Sequence, residues 1–183
     1  MEKKIIRTQS EFDELDRTKI IDFNLEIEMA GLAFEGNLYT RGYIISGGYI
    51  SSGGDISSGG YIISRGDIRS GGYIISRGYI RSGGYISSRG DIRSDGDIRI
   101  RGVKYRTIGS FTGIYKYIAQ PMIAADGTEH IRLGCHFRSV QDWAADFWNN
   151  LSEFPNNGDM PSKLRWLAYQ TCLQWLEINR ESI

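Results

Sequence analysis

The sequence predicts a mainly β protein: a β-solenoid of hexapeptide repeats followed by a smaller α+β module. Three observations predict it. Ile recurs every six residues from Ile44 to Ile98 and Gly every six from Gly42 to Gly102, with Leu32 and Leu38 extending the phase upstream. A period of six is too short for helical repeats and matches stacked β-coils. Within a unit such as Gly60-Tyr61-Ile62-Ile63-Ser64-Arg65, alternating side chains put Ile62 and Ser64 on one face and Tyr61 and Ile63 on the other. Ile and Ser are the steadier pair, so they are assigned to the interior. From Val103 the phase is lost, and all four Trp, both Cys and both His lie beyond it.

Residues 1–30 are expected to form an N-terminal cap. Ser10-Glu11-Phe12-Asp13 offers the Ser hydroxyl and the Asp carboxylate to the free amides of a short helix, and Ile20 to Ile27 alternates loosely as a first strand would. Residues 31–102 form the solenoid, each hexapeptide giving one short strand and one corner. The Gly falls where the chain turns, through positive φ or through close approach of neighbouring backbones. Three units per coil gives a triangular left-handed β-helix of about four coils, and two per coil gives a flat ribbon. The first is favoured, although a second period of twelve is visible. Arg65, Arg77, Arg89 and Arg101 recur at that spacing, as do Tyr49, Tyr61, Tyr73 and Tyr85. Two units per coil would stack those arginines in one column of like charge, which is unfavourable without an anion.

Residues 103–183 read as a β-hairpin plus two helices. Tyr115 to Ala124 and Thr128 to Cys135 alternate as strands around Asp126-Gly127, a hairpin-turn dipeptide. Ser139 to Asp142 is a capping pattern, after which Val140, Trp143, Ala144, Phe147 and Trp148 recur at helical spacing. Glu153 to Pro161 reads as a loop, and Leu164, Leu167, Ala168, Cys172, Trp175 and Leu176 mark a second amphipathic helix to about Asn179. This module is expected to cap the solenoid, because a bare end exposes apolar core and unpaired strand edges.

Charge and cysteine content narrow the classes of function. Lys plus Arg and Asp plus Glu are equal at 22 each, so net charge alone calls for neither a polyanion nor a membrane as partner. Two cysteines in a chain this long make no disulfide framework, and the charged N-terminus lacks the apolar stretch of a signal peptide. A cytoplasmic protein is expected. His130, Cys135, His136 and Cys172 lack the paired spacing of a structural zinc site, and no phosphate loop or nucleophile elbow appears, so neither cofactor nor catalytic residue is assigned.

The outward face of the solenoid is the candidate site. Between Gly42 and Gly102 eight arginines face five aspartates, a bias of +3. Arginine interleaved with tyrosine suits a protein interface and also nucleic-acid phosphates and bases. The partner-binding residues expected are Tyr49, Tyr61, Tyr73, Tyr85, Ile63, Ile75, Arg65, Arg77, Arg89 and Arg101. The Tyr/Ile face and Trp166 and Trp175 of the second helix are candidates for an isologous homodimer contact.

The ladder Gly-Tyr/Asp-Ile-x-Ser-Gly/Arg, with Arg132-Leu133-Gly134-Cys135-His136, Asp146-Phe147-Trp148-Asn149-Asn150 and Glu153-Phe154-Pro155-Asn156, resembles uncharacterised short-repeat proteins of bacteriophages and prophages. The likeness covers nearly the whole chain. It implies a bacterial host cell and a non-enzymatic inhibitor of a host protein or nucleoprotein complex, for example an anti-CRISPR or other anti-defence protein. The alternative is a solenoid that binds nucleic acid through its Arg/Tyr surface. A hexapeptide-repeat acyltransferase is more remote, because those enzymes use a histidine near the coils and often loops that interrupt them, and this solenoid has neither.

Overall fold

The computed structural model describes residues 1–148 and 156–180 and divides into two compact units, Met1–Lys104 and Tyr105–Ile183. In the first, β1 (Lys3–Ile6) and α1 (Gln9–Asp13) precede thirteen short strands: β2 (Asn24–Ile27), β3 (Gly31–Phe34), β4 (Leu38–Thr40), β5 (Ile44–Ser46), β6 (Tyr49–Ser52), β7 (Ile56–Ser58), β8 (Ile62–Ser64), β9 (Ile68–Ser70), β10 (Ile74–Ser76), β11 (Ile80–Ser82), β12 (Ile86–Ser88), β13 (Ile92–Ser94) and β14 (Ile98–Ile100). The second contains β15 (Val103–Ile108) from Tyr105 onward, β16 (Ala119–Ala124), β17 (Glu129–Leu133), β18 (His136–Ser139), α2 (Val140–Asp146) and α3 (Met160–Arg180).

Strand pairing decides how many hexapeptides make one coil. Each strand pairs in parallel with the third one on, so Ile44, Ile62, Ile80 and Ile98 are register partners 18 residues apart. One coil is therefore three hexapeptides, and the flat ribbon is excluded. The first face is β2-β5-β8-β11-β14, with β1 on its outer edge; the second is β3-β6-β9-β12, and the third is β4-β7-β10-β13. The stack makes about five turns and begins at β2, upstream of the position expected for the solenoid.

Three inward columns of aliphatic side chains build the core. Ile44, Ile50, Ile56, Ile62, Ile68, Ile74, Ile80 and Ile86 are all fully buried, each contributing about 1.5–3 kcal/mol by burial. The inward serines do a second job. Ser58, Ser64 and Ser76 donate through Oγ to the carbonyls of Gly42, Gly48 and Gly60 in the preceding coil at 2.6–2.7 Å. Ser58 Oγ also accepts the Gly60 amide two residues on, at 3.1 Å. A buried hydroxyl thereby fastens each corner to the coil before it.

Close approach, not positive φ, is what requires the repeating glycine. None of the repeat glycines from Gly42 to Gly96 has positive φ. A Cβ on Gly66 would lie 2.9 Å from the Tyr49 nitrogen, and one on Gly78 would lie 3.0 Å from the Gly60 carbonyl carbon. Both obstacles are backbone of the previous coil, which cannot move aside without breaking the stack.

At the N-terminal end, Ile6, Phe12 and Leu15 are buried, Phe12 lies 4.8 Å from Phe34, and the Arg17 guanidinium covers both rings. The helix there is capped by Thr8, not by Ser10. Thr8 Oγ1 accepts from the Glu11 amide while Glu11 receives the Thr8 amide, a reciprocal capping box.

The second unit is an antiparallel sheet, β15-β16-β17-β18, packed on two helices. Gly127, at φ 89°, closes the β16–β17 hairpin and Asp126 accepts the Thr128 amide. The strand expected from Tyr115 starts only at Ala119, and β15 and β18 widen the hairpin to four strands. Ser139 caps α2 as its sequence pattern suggests. Trp143 is fully buried and donates through Nε1 to the Ile131 carbonyl at 2.8 Å, beside Phe147, Tyr169, Cys172 and Leu176. Of the expected loop, Glu153 to Pro155 lies outside the described residues, as do Asn149 and Asn150, whereas Met160 and Pro161 open α3. Proline is suited to a first turn, where its missing N–H has no partner to lose.

Candidate interaction surface

The 18-residue coil sorts the outward residues into columns. At the corner between the third and first faces, Tyr43, Tyr61 and Tyr79 occupy successive coils. Their rings stack with centroids 4.8 and 5.0 Å apart and planes within 4° of parallel. The spacing is that of the strands beneath, so the backbone ladder sets the ring ladder. Beside it on the first face runs the outward column Glu26, Ile45, Ile63, Arg81 and Arg99. Arg41 and Arg77 sit on the same corner as the tyrosines.

Polar groups hold both ends of this strip. Tyr43 Oη donates to Glu26 Oε1 at 2.9 Å, and Glu26 takes Lys3 Nζ at 3.2 Å on its other oxygen. At the opposite end the Arg81 guanidinium lies 4.4 Å from the Tyr79 ring centroid, a cation–π contact. Asp97 follows in the tyrosine column and binds Lys104 Nζ at 2.7 Å and Arg99 at 3.2 Å, which hold its carboxyl below the usual range. The bond to Glu26 raises the pKa of Tyr43, and partial burial raises that of Tyr61. The middle of the strip is thus uncharged, with half-buried Tyr and Ile and charge confined to its margins.

The sequence-based set of ten does not form one surface. Tyr61, Ile63 and Arg77 belong to the strip. Tyr49, Tyr85, Arg65 and Arg101 share the corner between the first and second faces, where Asp67 separates the two tyrosines and Arg101 lies 4.1 Å from the Tyr85 ring. Tyr73 and Arg89 occupy the remaining corner, with Ile75 on the third face beside them; Tyr73 is 49% exposed and Ile75 38%. The arginines therefore form no continuous column, and Arg65, Arg77 and Arg89 stand one on each corner. Arg69, Arg93 and Arg99 each bind the aspartate two residues before them. Tyr43, Ile45 and Tyr79 are the strip residues outside that set of ten. An alignment of the repeats at 18 instead of 12 places them directly.

In the second unit Trp166 is 40% exposed, whereas Trp175 is half-buried against the core and covers Gly109. Met160, Leu167 and Ile178 are exposed on α3 at spacings that put them on one side of the helix. Cys172 is fully buried and its thiol is pushed up by burial, while Cys135 is exposed. His130 stacks on Phe137 with centroids 4.9 Å apart. Among the described residues no three His, Cys, Asp or Glu side chains come together as a metal-ligand set, and no helix is long and apolar enough to cross a membrane. No family model, curated protein or solved structure matches the chain.

Proposed function

We propose that the chain is a non-enzymatic binding protein whose Tyr43/Tyr61/Tyr79 and Ile45/Ile63 strip docks onto a host macromolecular complex and inhibits it, as a phage-type anti-defence protein acting in the bacterial cytoplasm. The strip carries this reading. Rigid, preordered aromatic rings with an uncharged centre and an arginine-bearing margin have the composition of a protein-interface hot spot, and they lose little conformational entropy on binding. The choice of a host defence complex rests on the resemblance to phage repeat proteins. Direct nucleic-acid binding is the weaker reading, because a backbone track needs neighbouring free cations: Arg65, Arg77 and Arg89 are dispersed over three corners, and of the adjacent pair Arg81 and Arg99 the first covers Tyr79 and the second is paired with Asp97. Acyl transfer is weaker still, since both histidines lie in the second unit.

The test is capture from nuclease-treated bacterial lysate by the intact protein, run beside the Tyr61→Ala/Tyr79→Ala variant. A host protein retained by the parent at raised salt and lost by the variant supports docking through the strip. Capture that disappears with nuclease, or that the variant retains in full, overturns it.

A further inference from the structure

In the second unit a pocket of about 550 Å³ opens between α2 and α3, and its size is that of a small-molecule site. Trp143, Phe147, Trp148, Trp166 and Tyr169 line it together with the carboxylate of Asp146. Trp148 and Trp166 stack at 5.7 Å with planes 25° apart, and Phe147 meets Trp166 nearly edge-on at 5.1 Å, so the rings form a continuous aromatic wall. Asp146 sets a negative charge in this wall. Its Oδ1 is buried without a hydrogen-bond partner, and its Oδ2 meets Arg138 Nη1 only at 3.6 Å. The pair with Arg138 is loose and the Asp146 side chain is 37% exposed, so the carboxylate is open to a second cation beside the rings. Cation–π contact is already made in this unit: the same Arg138 guanidinium lies 4.9 Å from the Trp143 ring centroid.

We propose that this pocket binds an organic cation of the quaternary ammonium class, such as a trimethylammonium head group. Aromatic rings and the small side chains of Ala144 and Ala145 give a trimethylammonium its preferred contacts, and of the lining side chains only Asp146, Tyr169 and Gln170 carry an oxygen that can accept from the N–H groups of a primary ammonium. The Asp146 charge then distinguishes a cation from an uncharged group of the same shape. This site is separate from the solenoid strip and independent of its function.

All four tryptophans lie in the second unit, so intrinsic tryptophan fluorescence reports on this unit alone. The intact protein is titrated with choline and with its neutral isostere 3,3-dimethylbutan-1-ol. A saturable response to choline is expected, with about ten-fold weaker binding of the isostere, and a similar loss on Asp146→Asn. Trp166→Ala, at a position 40% exposed, should abolish saturation, with circular dichroism confirming that the variant is folded. Tyr61→Ala/Tyr79→Ala should bind choline as the parent does, which separates this site from the strip. Equal affinity for choline and the isostere, or a linear response without saturation, overturns the proposal whether or not Asp146→Asn folds.

Discussion

Replacing Ile62 by alanine is the sharpest test of how the solenoid is held together. Ile62 is fully buried between its register partners Ile44 and Ile80, and the substitution removes three carbons. Collapse into the gap is blocked, because the neighbouring coils are fixed by backbone bonds such as Ile44 N to the Tyr61 carbonyl and Ile62 N to the Tyr79 carbonyl, both 2.9 Å. A site that cannot relax lies toward the upper end of the large-to-small range, so a loss of about 4 kcal/mol is expected. Ile92 is the contrast. It lies in β13, the last strand of the third face, and is partly exposed, so Ile92→Ala should cost about 2 kcal/mol. Urea denaturation followed by far-ultraviolet circular dichroism reads the solenoid, while tryptophan fluorescence follows the second unit separately. Equal midpoint shifts for the two variants would refute the argument that the stacked spine resists local collapse.

Burial against Phe137 and Tyr105 lowers the pKa of His130, while Asp126 and Asp142 pull it upward. The unfolded chain therefore takes up this proton first, and the second unit loses stability as pH falls below about 6.5. His130→Gln should lose less melting temperature between pH ~7.5 and ~5.5 than the parent does, and an equal drop in both would dismiss the effect. Cys135 should react with iodoacetamide in the folded protein while Cys172 stays unmodified until denaturant is added, as peptide mass mapping would reveal. Self-association through the exposed side of α3 should appear as concentration-dependent sedimentation and disappear in Leu167→Glu; a parent that stays monomeric throughout rules it out.

The solenoid was legible in the sequence because the information is local and repeated: each hexapeptide states its own strand, corner and inward pair. β1 was not legible. Of Lys3 to Ile6 only Ile5 and Ile6 are apolar, and the strand owes its existence to parallel pairing with β2 some twenty residues away. The helix cap moved from Ser10 to Thr8 because the glutamate needed for a reciprocal box is Glu11, three residues after Thr8. In the second unit, periodicity located both helices and the hairpin turn. It could not show that Asp146 of α2 and Trp166 of α3 line one pocket, since that depends on how two helices pack and not on either one alone.

The strip was only half legible, and the reason lies in two unequal periods. Motifs recur in the sequence every 12 residues, but the coil closes every 18, so each recurrence advances two of the three sides and returns to its starting column only after 36. Tyr49, Tyr61 and Tyr73 therefore fall on three different corners, and Arg65 meets its column mate Arg101 only two coils later. Were the periods equal, the arginines would stack at strand spacing and repel one another along the whole solenoid. The mismatch disperses like charge while leaving the inward Ile and Ser, which repeat every six residues and so suit either winding, in unbroken columns. A ring column survives where Tyr also occurs six residues out of step with the 12-residue series. Tyr43 and Tyr79 lie at such positions, 18 residues on either side of Tyr61, and they are what turns one tyrosine of a dispersed set into a continuous surface.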